Sequence, residues 1–173
     1  MRILVSVGTH EQPFERLLDA VAATIDQRPQ DEWIVQFGVG SWHVRTDRVT
    51  AADYLDADAM RDALEWSDLL VSQSSPGNVF GALAAGTWPL VLGRSHAAGE
   101  HVDDHQIRFA RALQELGYAT DVGSPDHLAE LVAAESSSAP LDRAERTRTA
   151  ARRARDNERA FRSDVWRVLR DRS

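Results

Sequence analysis

The chain opens on a near-continuous apolar run, Ile3, Leu4, Val5 and Val7, that stops at Gly8. This is the pattern of a strand covered on both faces. From Pro13 the apolar residues Phe14, Leu17, Leu18, Val21, Ala22 and Ile25 recur at spacings of three and four, which predicts a helix. A second strand is expected over 33–37, ending at Gly38 and Gly40, and a short third around 49–54. A helix then starts at Asp56 or Asp58, with Met60, Ala63, Leu64 and Trp66 on its apolar side. The fourth strand, 69–72, runs into a turn of Ser74, Ser75, Pro76 and Gly77. A helix of small residues over 79–85 follows, with Gly86 as its C-terminal cap. A fifth strand at 89–92 leads through a glycine-bounded loop, 93–99, into a helix from about 102 to 116 that stops at Gly117. A sixth strand is expected at 118–122, and Ser124 and Pro125 open a further helix with Leu128, Leu131 and Val132 inside.

Strands alternating with helices through short loops predict an α/β fold, a Rossmann-like parallel sheet with helices on both faces. Ligands of such sheets sit at the carboxyl ends of the strands. Three loops lie there: 8–13, 73–78 and 93–106. Residues 136–140, three serines, an alanine and a proline, read as a flexible break between a domain over 1–135 and an arginine-rich helix over 141–173. The tail carries a stripe of Ala151, Ala154, Phe161, Val165, Val168 and Leu169. It is either a terminal helix packed on its own domain or a docking helix for a partner or an anionic membrane. Removing 141–173 is expected to leave a folded domain.

Composition narrows the function. The chain has 173 residues, enough for one self-sufficient core, and no cysteine, which excludes a disulfide scaffold, a zinc ribbon and a thiol nucleophile. A net charge of −7, from 27 acids and 20 bases, argues against a nucleic-acid binder. Every base is arginine, and eleven of them fall within 142–173 against six acids. Residues 1–141 therefore carry a formal −12 and the tail +5. The apolar run 3–7 is too short for a signal peptide. The uncharged stretch 69–93 contains Ser72, Gln73, Ser74, Ser75, Pro76, Asn78 and Pro89, so it reads as buried strand, loop and helix rather than a membrane span. A soluble, cytoplasmic protein is expected.

In the first loop, Gly8 and Thr9 either bring backbone amides close to an anion or make a simple turn. In the second, Ser74, Ser75, Gly77 and Asn78 stand at a helix start, where free amides and the macrodipole suit a phosphate, although Ser75 or Asn78 could equally be a cap. Neither a Gly-Lys-Ser/Thr nor a GxGxxG sequence is present. In the third, His101 and His105 stand four apart and could share a helix face as a metal pair. With no Glu between them in the HExxH manner and no third ligand in view, no metal is expected. The dense polar run 99–106 better suits sugar hydroxyls. The Asp56-Ala57-Asp58 triplet imitates a DxD metal motif but sits at a helix start, where acids belong anyway.

Two strings carry a family resemblance: Ile3-Leu4-Val5-Ser6-Val7-Gly8-Thr9-His10-Glu11-Gln12-Pro13-Phe14 and Gly99-Glu100-His101-Val102-Asp103-Asp104-His105-Gln106. Between them lie residues 72–77 and Ala82-Leu83-Ala84-Ala85-Gly86. Together these resemble the C-terminal, donor-binding domain of glycosyltransferase family 28 over about residues 1–135. The likeness is to its small stand-alone versions, such as the cytosolic subunit of the dolichol-linked N-acetylglucosamine transferase and bacterial exopolysaccharide glycosyltransferase subunits. The resemblance implies half of a GT-B enzyme with a UDP-sugar as substrate and no cofactor. It implies that Gly8 and Thr9 face the pyrophosphate and that Ser74, Ser75, Pro76, Gly77 and Asn78 bind it at the helix start. Gln106 with Asp104 or His105 would take the sugar hydroxyls, and Leu55 would lie where backbone holds the uracil.

Two positions depart from the family pattern. Gln73 stands where a His is usual, and Gly81 where a Glu bonds the ribose hydroxyls. Losing that Glu would lower donor affinity about tenfold or more unless another residue substitutes. No residues remain for an acceptor-binding half, so the resemblance implies a membrane-associated partner subunit, contacted by the 141–173 helix, that brings the chain to the inner face of the membrane. Self-association of the isolated chain is left open. The expected function is the donor-binding subunit of a two-subunit hexosyltransferase acting on a lipid-linked or polysaccharide acceptor. The general base would be the partner's or His10. The alternatives are a non-catalytic nucleotide-sugar-binding or regulatory subunit, degenerate at Gly81 and Gln73, and an unrelated flavodoxin-like binding domain.

Overall fold

A computed structural model of the chain describes residues 1–170, with side chains as far as residue 160. Six strands, β1 (Arg2–Ser6), β2 (Glu32–Gln36), β3 (Val49–Ala52), β4 (Leu69–Gln73), β5 (Trp88–Leu92) and β6 (Thr120–Asp121), form one sheet in the order β3-β2-β1-β4-β5-β6. Every neighbouring pair is parallel. The helices are α1 (Glu15–Gln27), α2 (Ala57–Trp66), α3 (Pro76–Ala85), α4 (His105–Glu115), α5 (Leu128–Ser137) and α6 (Pro140–Arg170), with a 3-10 turn at Pro125–His127 ahead of α5.

The strand pattern follows from position in the sheet. β4 and β5 are buried at every residue, as central parallel strands with helices on both faces must be. The edge strands β3 and β6 are only partly covered. Along β1, Ile3 and Val5 join a large cluster with Leu17, Leu18, Val21 and Ile25 of α1 and with Leu128 and Val132 of α5. Leu4 points the other way, to a small cluster with Leu70, Ala63 of α2 and Ala82 of α3. The alternation inside one apolar run thus places helices on both faces.

Several boundaries differ from the sequence expectation. The sixth strand shrinks to two residues, anchored where the Trp88 indole Nε1 donates to Thr120 Oγ1 at 3.0 Å. The helix expected from about 102 begins only at His105, after a run of bends in which Val102 is 72% exposed. The break expected over 136–140 is confined to two residues. Ser136 and Ser137 complete α5, and two residues, Ser138 and Ala139, separate it from α6.

The tail is part of the domain. Thr147, Ala150 and Ala151 of α6 are buried, the two alanines within the main core cluster. Arg146 pairs with both carboxylate oxygens of the buried Glu135, at 2.9 and 2.8 Å, and its guanidinium lies 3.9 Å from the centre of the Trp88 ring. Asn157 Nδ2 donates to the Tyr118 hydroxyl at 2.9 Å, and Arg153 to the Leu116 carbonyl. Of the stripe expected on this helix, Ala151 is buried and Ala154 packs against the core, while Phe161, Val165, Val168 and Leu169 lie outside the described side chains.

Contrary to the sequence expectation, a chain ending at residue 139 should be destabilised by about 3 kcal/mol or more, because it loses the Arg146–Glu135 pair and uncovers the core surface on which Ala150 and Ala151 pack. Equilibrium urea denaturation of the two chains measures this. Equal stability would show that α6 is dispensable.

Candidate functional site

The strand order reverses between β1 and β4, so the connections leaving their carboxyl ends diverge to opposite sides and open a crevice. Its floor is a buried polar network supplied by residues that end strands. Ser6 Oγ donates to Gln36 Oε1 at 3.2 Å and accepts from the Gly8 amide at 3.4 Å. Gln36 Nε2 donates to the Gly8 carbonyl at 3.2 Å. Ser72 Oγ donates to the Ser6 carbonyl at 2.8 Å and accepts from Asn78 Nδ2 at 2.6 Å. Asn78 is therefore turned inward to bind the ends of β1 and β4, and does not cap its own helix.

The first loop is held by Arg94, which is 1% exposed and follows β5. Its Nε donates to Gln73 Oε1 at 2.7 Å, and its Nη2 to the Val7 carbonyl at 2.9 Å. Its Nη1 reaches the carbonyls of Gln12, Pro13 and Glu100 at 2.9, 3.2 and 3.2 Å. The guanidinium also stacks 4.7 Å from the Phe14 ring centre. Burial pulls its pKa down while the charge of Glu100 pushes it up, and an arginine remains a cation throughout. Glu100 itself is paired with Arg16 at 2.8 Å and accepts from the Ser95 amide at 2.8 Å, so it braces the third loop rather than facing the crevice.

Two glycines are required by this packing. Gly8 has φ +77°, and a Cβ there would sit 1.9 Å from Gln73 Nε2. A Cβ on Gly93 would sit 2.6 Å from Cα of Ile107, because the first turn of α4 rests directly on that backbone.

At the other side of the crevice α3 begins. Ser75 occupies the cap position without a side-chain cap bond, and Pro76 follows as the first helical residue. The first-turn amides of Gly77 and Asn78 therefore have no intrahelical carbonyl to bond. Gly77 is exposed, and a Cβ there would meet nothing within 4 Å. Ser74 Oγ is buried with no hydrogen-bond partner among the described residues, as is Gln12 Oε1. A buried hydroxyl beside a bare helix start fits an anion acceptor.

In the third loop the polar side chains make hydrogen bonds within the protein. Gln106 is 5% exposed, and its Oε1 accepts from the Arg94 amide at 3.4 Å. Asp104 Oδ1 accepts from the His96 amide at 2.8 Å, and His105 Nδ1 lies 2.5 Å from Asp103 Oδ1. His101 belongs to the loop, not to the helix, so the shared helix face expected for His101 and His105 does not exist. The turn nonetheless stacks their rings edge to face at 4.6 Å, with Asp103 beside both. Burial, then the neighbouring His105 and His10, push the pKa of His101 down. Hydrogen bonds from the His105 amide and ring hold the Asp103 carboxyl below its usual range.

His10 reaches across from the first loop, its ring 4.7 Å from that of His101. Its Nδ1 accepts from the Gln12 amide at 3.3 Å, so the neutral ring carries its proton on Nε2 and offers no lone pair there for general-base work. Thr9 is exposed at the rim. Leu55 packs its side chain onto the small core cluster just ahead of α2.

The sequence matches the glycosyltransferase family 28 C-terminal domain over residues 2–160. The chain belongs to this family. Comparison with curated proteins gives no match. Among solved structures it is similar to the glycotransferase of kitacinnamycin (21% identity, TM-score 0.69), covering 90% of this chain and 39% of that one. It is similar to MurG of Acinetobacter baumannii (17% identity, TM-score 0.66), covering 87% and 45%. It is also similar to UDP-GlcNAc 2-epimerase of Neisseria meningitidis bound to UDP-GlcNAc (14% identity, TM-score 0.58), covering 85% and 38%. At these identities the likeness is one of fold: this α/β domain corresponds to the C-terminal half of GT-B glycosyltransferases. It spans about two fifths of the length of the structures it matches.

Both departures of this family 28 domain have a structural setting. Gln73 is 8% exposed and committed to Arg94. Gly81 lies in the second turn of α3, where an added Cβ would meet nothing closer than Leu64 Cδ1 at 4.0 Å. The residues whose roles were missed in the sequence are Ser6, Gln36 and Arg94, polar groups at or just beyond strand ends, and Glu100 in the third loop. For the first three, placement where apolar runs stop was the available signal.

Replacing Arg94 with Met keeps roughly the volume and deletes every side-chain donor, leaving three buried and two half-buried oxygens without it. We expect the family 28 domain to lose about 3 kcal/mol or more of stability in urea denaturation. A loss under about 1 kcal/mol would mean that the loops are held by something else.

Proposed function

We propose that this chain is the donor-binding component of a glycosyltransferase, one that binds a UDP-sugar in the β1/β4 crevice and acts with a separate, membrane-associated acceptor-binding subunit. The observation that carries the reading is the bare start of α3. Ser75 leaves its cap position unused, Asn78 turns inward, and the buried Ser74 hydroxyl has no partner, all across the crevice from the buried backbone of Gly8. A body with a formal −12 and no lysine has to hold a diphosphate through amides and a helix end.

The same groups serve the chemistry. As the glycosidic bond to the sugar breaks, the departing diphosphate gains negative charge, and a fixed helix N-terminus stabilises that charge without rearranging. Gly8, Thr9 and residues 74–78 are the diphosphate side. Leu55 and its backbone are the base side, and Asp104 and His105 stand at the sugar side. Gln106 would join them by releasing the Arg94 amide. The acceptor hydroxyl's proton goes to a base of the partner, since His10 is held as a donor. The arginines exposed along α6, such as Arg148, Arg152 and Arg155, are the surface offered to that partner, which would carry a lipid-linked or polysaccharide acceptor. Among the described residues no helix is long and apolar enough to cross a membrane, and in this reading the partner brings the chain to the inner face.

Gly81 favours a second reading, a subunit that binds nucleotide sugar weakly or for regulation only, because the ribose hydroxyls have no carboxylate there. Calorimetric titration with UDP and UDP-sugars separates the two. We expect one-site binding of UDP by the chain, alone or with its membrane partner. Absence of binding in both settings would overturn the donor-binding reading.

Gly81→Glu has room for its side chain and replaces a poor helix former. It should raise stability by about 0.5 kcal/mol and tighten UDP binding about tenfold. A stabilised variant with unchanged UDP affinity would place the ribose elsewhere.

A further inference from the structure

The loop ahead of α4 and the first residue of that helix gather metal-ligating side chains, of which the donor-binding reading uses only His105. We propose that His101, Asp103 and His105 form a binding site for a zinc-class divalent cation at the crevice rim. One ligand atom from each lies within 4.8 Å of the other two. Donors about 2.0–2.2 Å from a common zinc stand roughly 3.3 Å apart, so the loop has to contract by little more than about an ångström. Two of the three are exposed and face no packing obstacle to that movement.

A hydrogen-bonded pair at a helix start accounts for part of this cluster, since His105 donates to Asp103 Oδ1 from its amide at 2.9 Å and from its ring at 2.5 Å. It does not account for His101. That side chain is 12% exposed, its Nδ1 stands 3.8 Å from Asp103 Oδ1, and the nitrogen is buried with no hydrogen-bond partner among the described residues. A cation between the three would engage it and would displace the proton shared by His105 and Asp103. His10, stacked on His101, is excluded as a ligand by the Gln12 amide at its Nδ1 and serves as a wall.

The donor set determines the class of ion. Two imidazoles and one carboxylate suit Zn²⁺ and its transition-metal neighbours, whereas Mg²⁺ and Ca²⁺ require mostly oxygen. Three protein ligands leave a coordination position open, the arrangement of sites that bind an exchangeable oxygen rather than of closed structural sites. The spacing of His101 and His105 argued against zinc for lack of a third ligand, and the turn at 101–105 supplies it as Asp103.

The test uses the full chain stripped of metal, with Zn²⁺ as the calorimetric probe and Co²⁺ as the spectroscopic one. One equivalent of Zn²⁺ should bind and raise the melting temperature. Co²⁺ should give the visible absorption of a low-coordinate site, and excess Mg²⁺ should compete with neither. His101→Ala and Asp103→Asn should each weaken Zn²⁺ binding about tenfold or more, while His127→Ala, remote from the loop, leaves it unchanged. Should either ligand variant fold poorly, His105→Gln read by Co²⁺ absorption replaces it. Lack of a one-equivalent Zn²⁺ site, or binding indifferent to these substitutions, would overturn the proposal. No nucleotide enters the experiment, so its outcome is independent of the donor-binding reading.

Discussion

Taking a guanidinium out of water is costly unless its nitrogens find acceptors, and the rim of this sheet is arranged around supplying them to Nε, Nη1 and Nη2 of Arg94. Its acceptors are the carbonyls of Val7, Gln12, Pro13 and Glu100 and the amide oxygen of Gln73, contributed by the loops that follow β1 and β5 and by the last residue of β4. Much else follows from that arrangement. Gln73 must be an acceptor rather than a free histidine, Gly8 must lack a Cβ to let Gln73 pass, and Gly93 must lack one to let α4 settle against the strand end. The charge itself is matched at a distance by Glu100, which in turn is occupied by Arg16.

A consequence for recognition is that the crevice presents dipoles rather than mobile cations. Its cationic side chains are already committed, Arg94 to carbonyls and Arg16 to Glu100. On the donor-binding reading, what is left for a diphosphate is the first turn of α3, with the buried and unpartnered Ser74 hydroxyl beside it. Such groups need no reorganisation when charge develops on a leaving group, and they do not attract anions indiscriminately across an otherwise acidic surface.

Much of this was legible beforehand, for identifiable reasons. The apolar runs of β1, β4 and β5 and the three-four spacing along α1 report burial directly, so the alternation of strand and helix could be read, and with it the three loops that matter. Glycines and prolines placed most of the element ends. Three things could not be read. The polar residues closing the strands look like ordinary loop residues until the parallel register brings Ser6, Gln36 and Ser72 side by side. The serine-rich 136–140 stretch has the composition of a linker, yet Glu135 and Arg146 clamp across it and α6 buries Ala150 and Ala151, a tertiary effect that local propensity does not contain. The histidines four apart suggested a helix face, but a helix that begins at His105 makes the same spacing a turn and brings Asp103 in between.

The contacts of Arg94 with Val7, Gln12 and Pro13 join residues 81 to 87 positions apart along the chain. Closing so long a loop costs entropy that strand pairing must first offset, so we expect the crevice to be assembled late, after β1, β4 and β5 have docked. Order of assembly and order of loss are then linked: a substitution that loosens the central strands, however far from the rim, would dismantle the crevice together with the sheet. During synthesis the nascent first loop cannot gain the contacts that Arg94 makes with it until the ribosome has delivered β5 and the arginine that follows it.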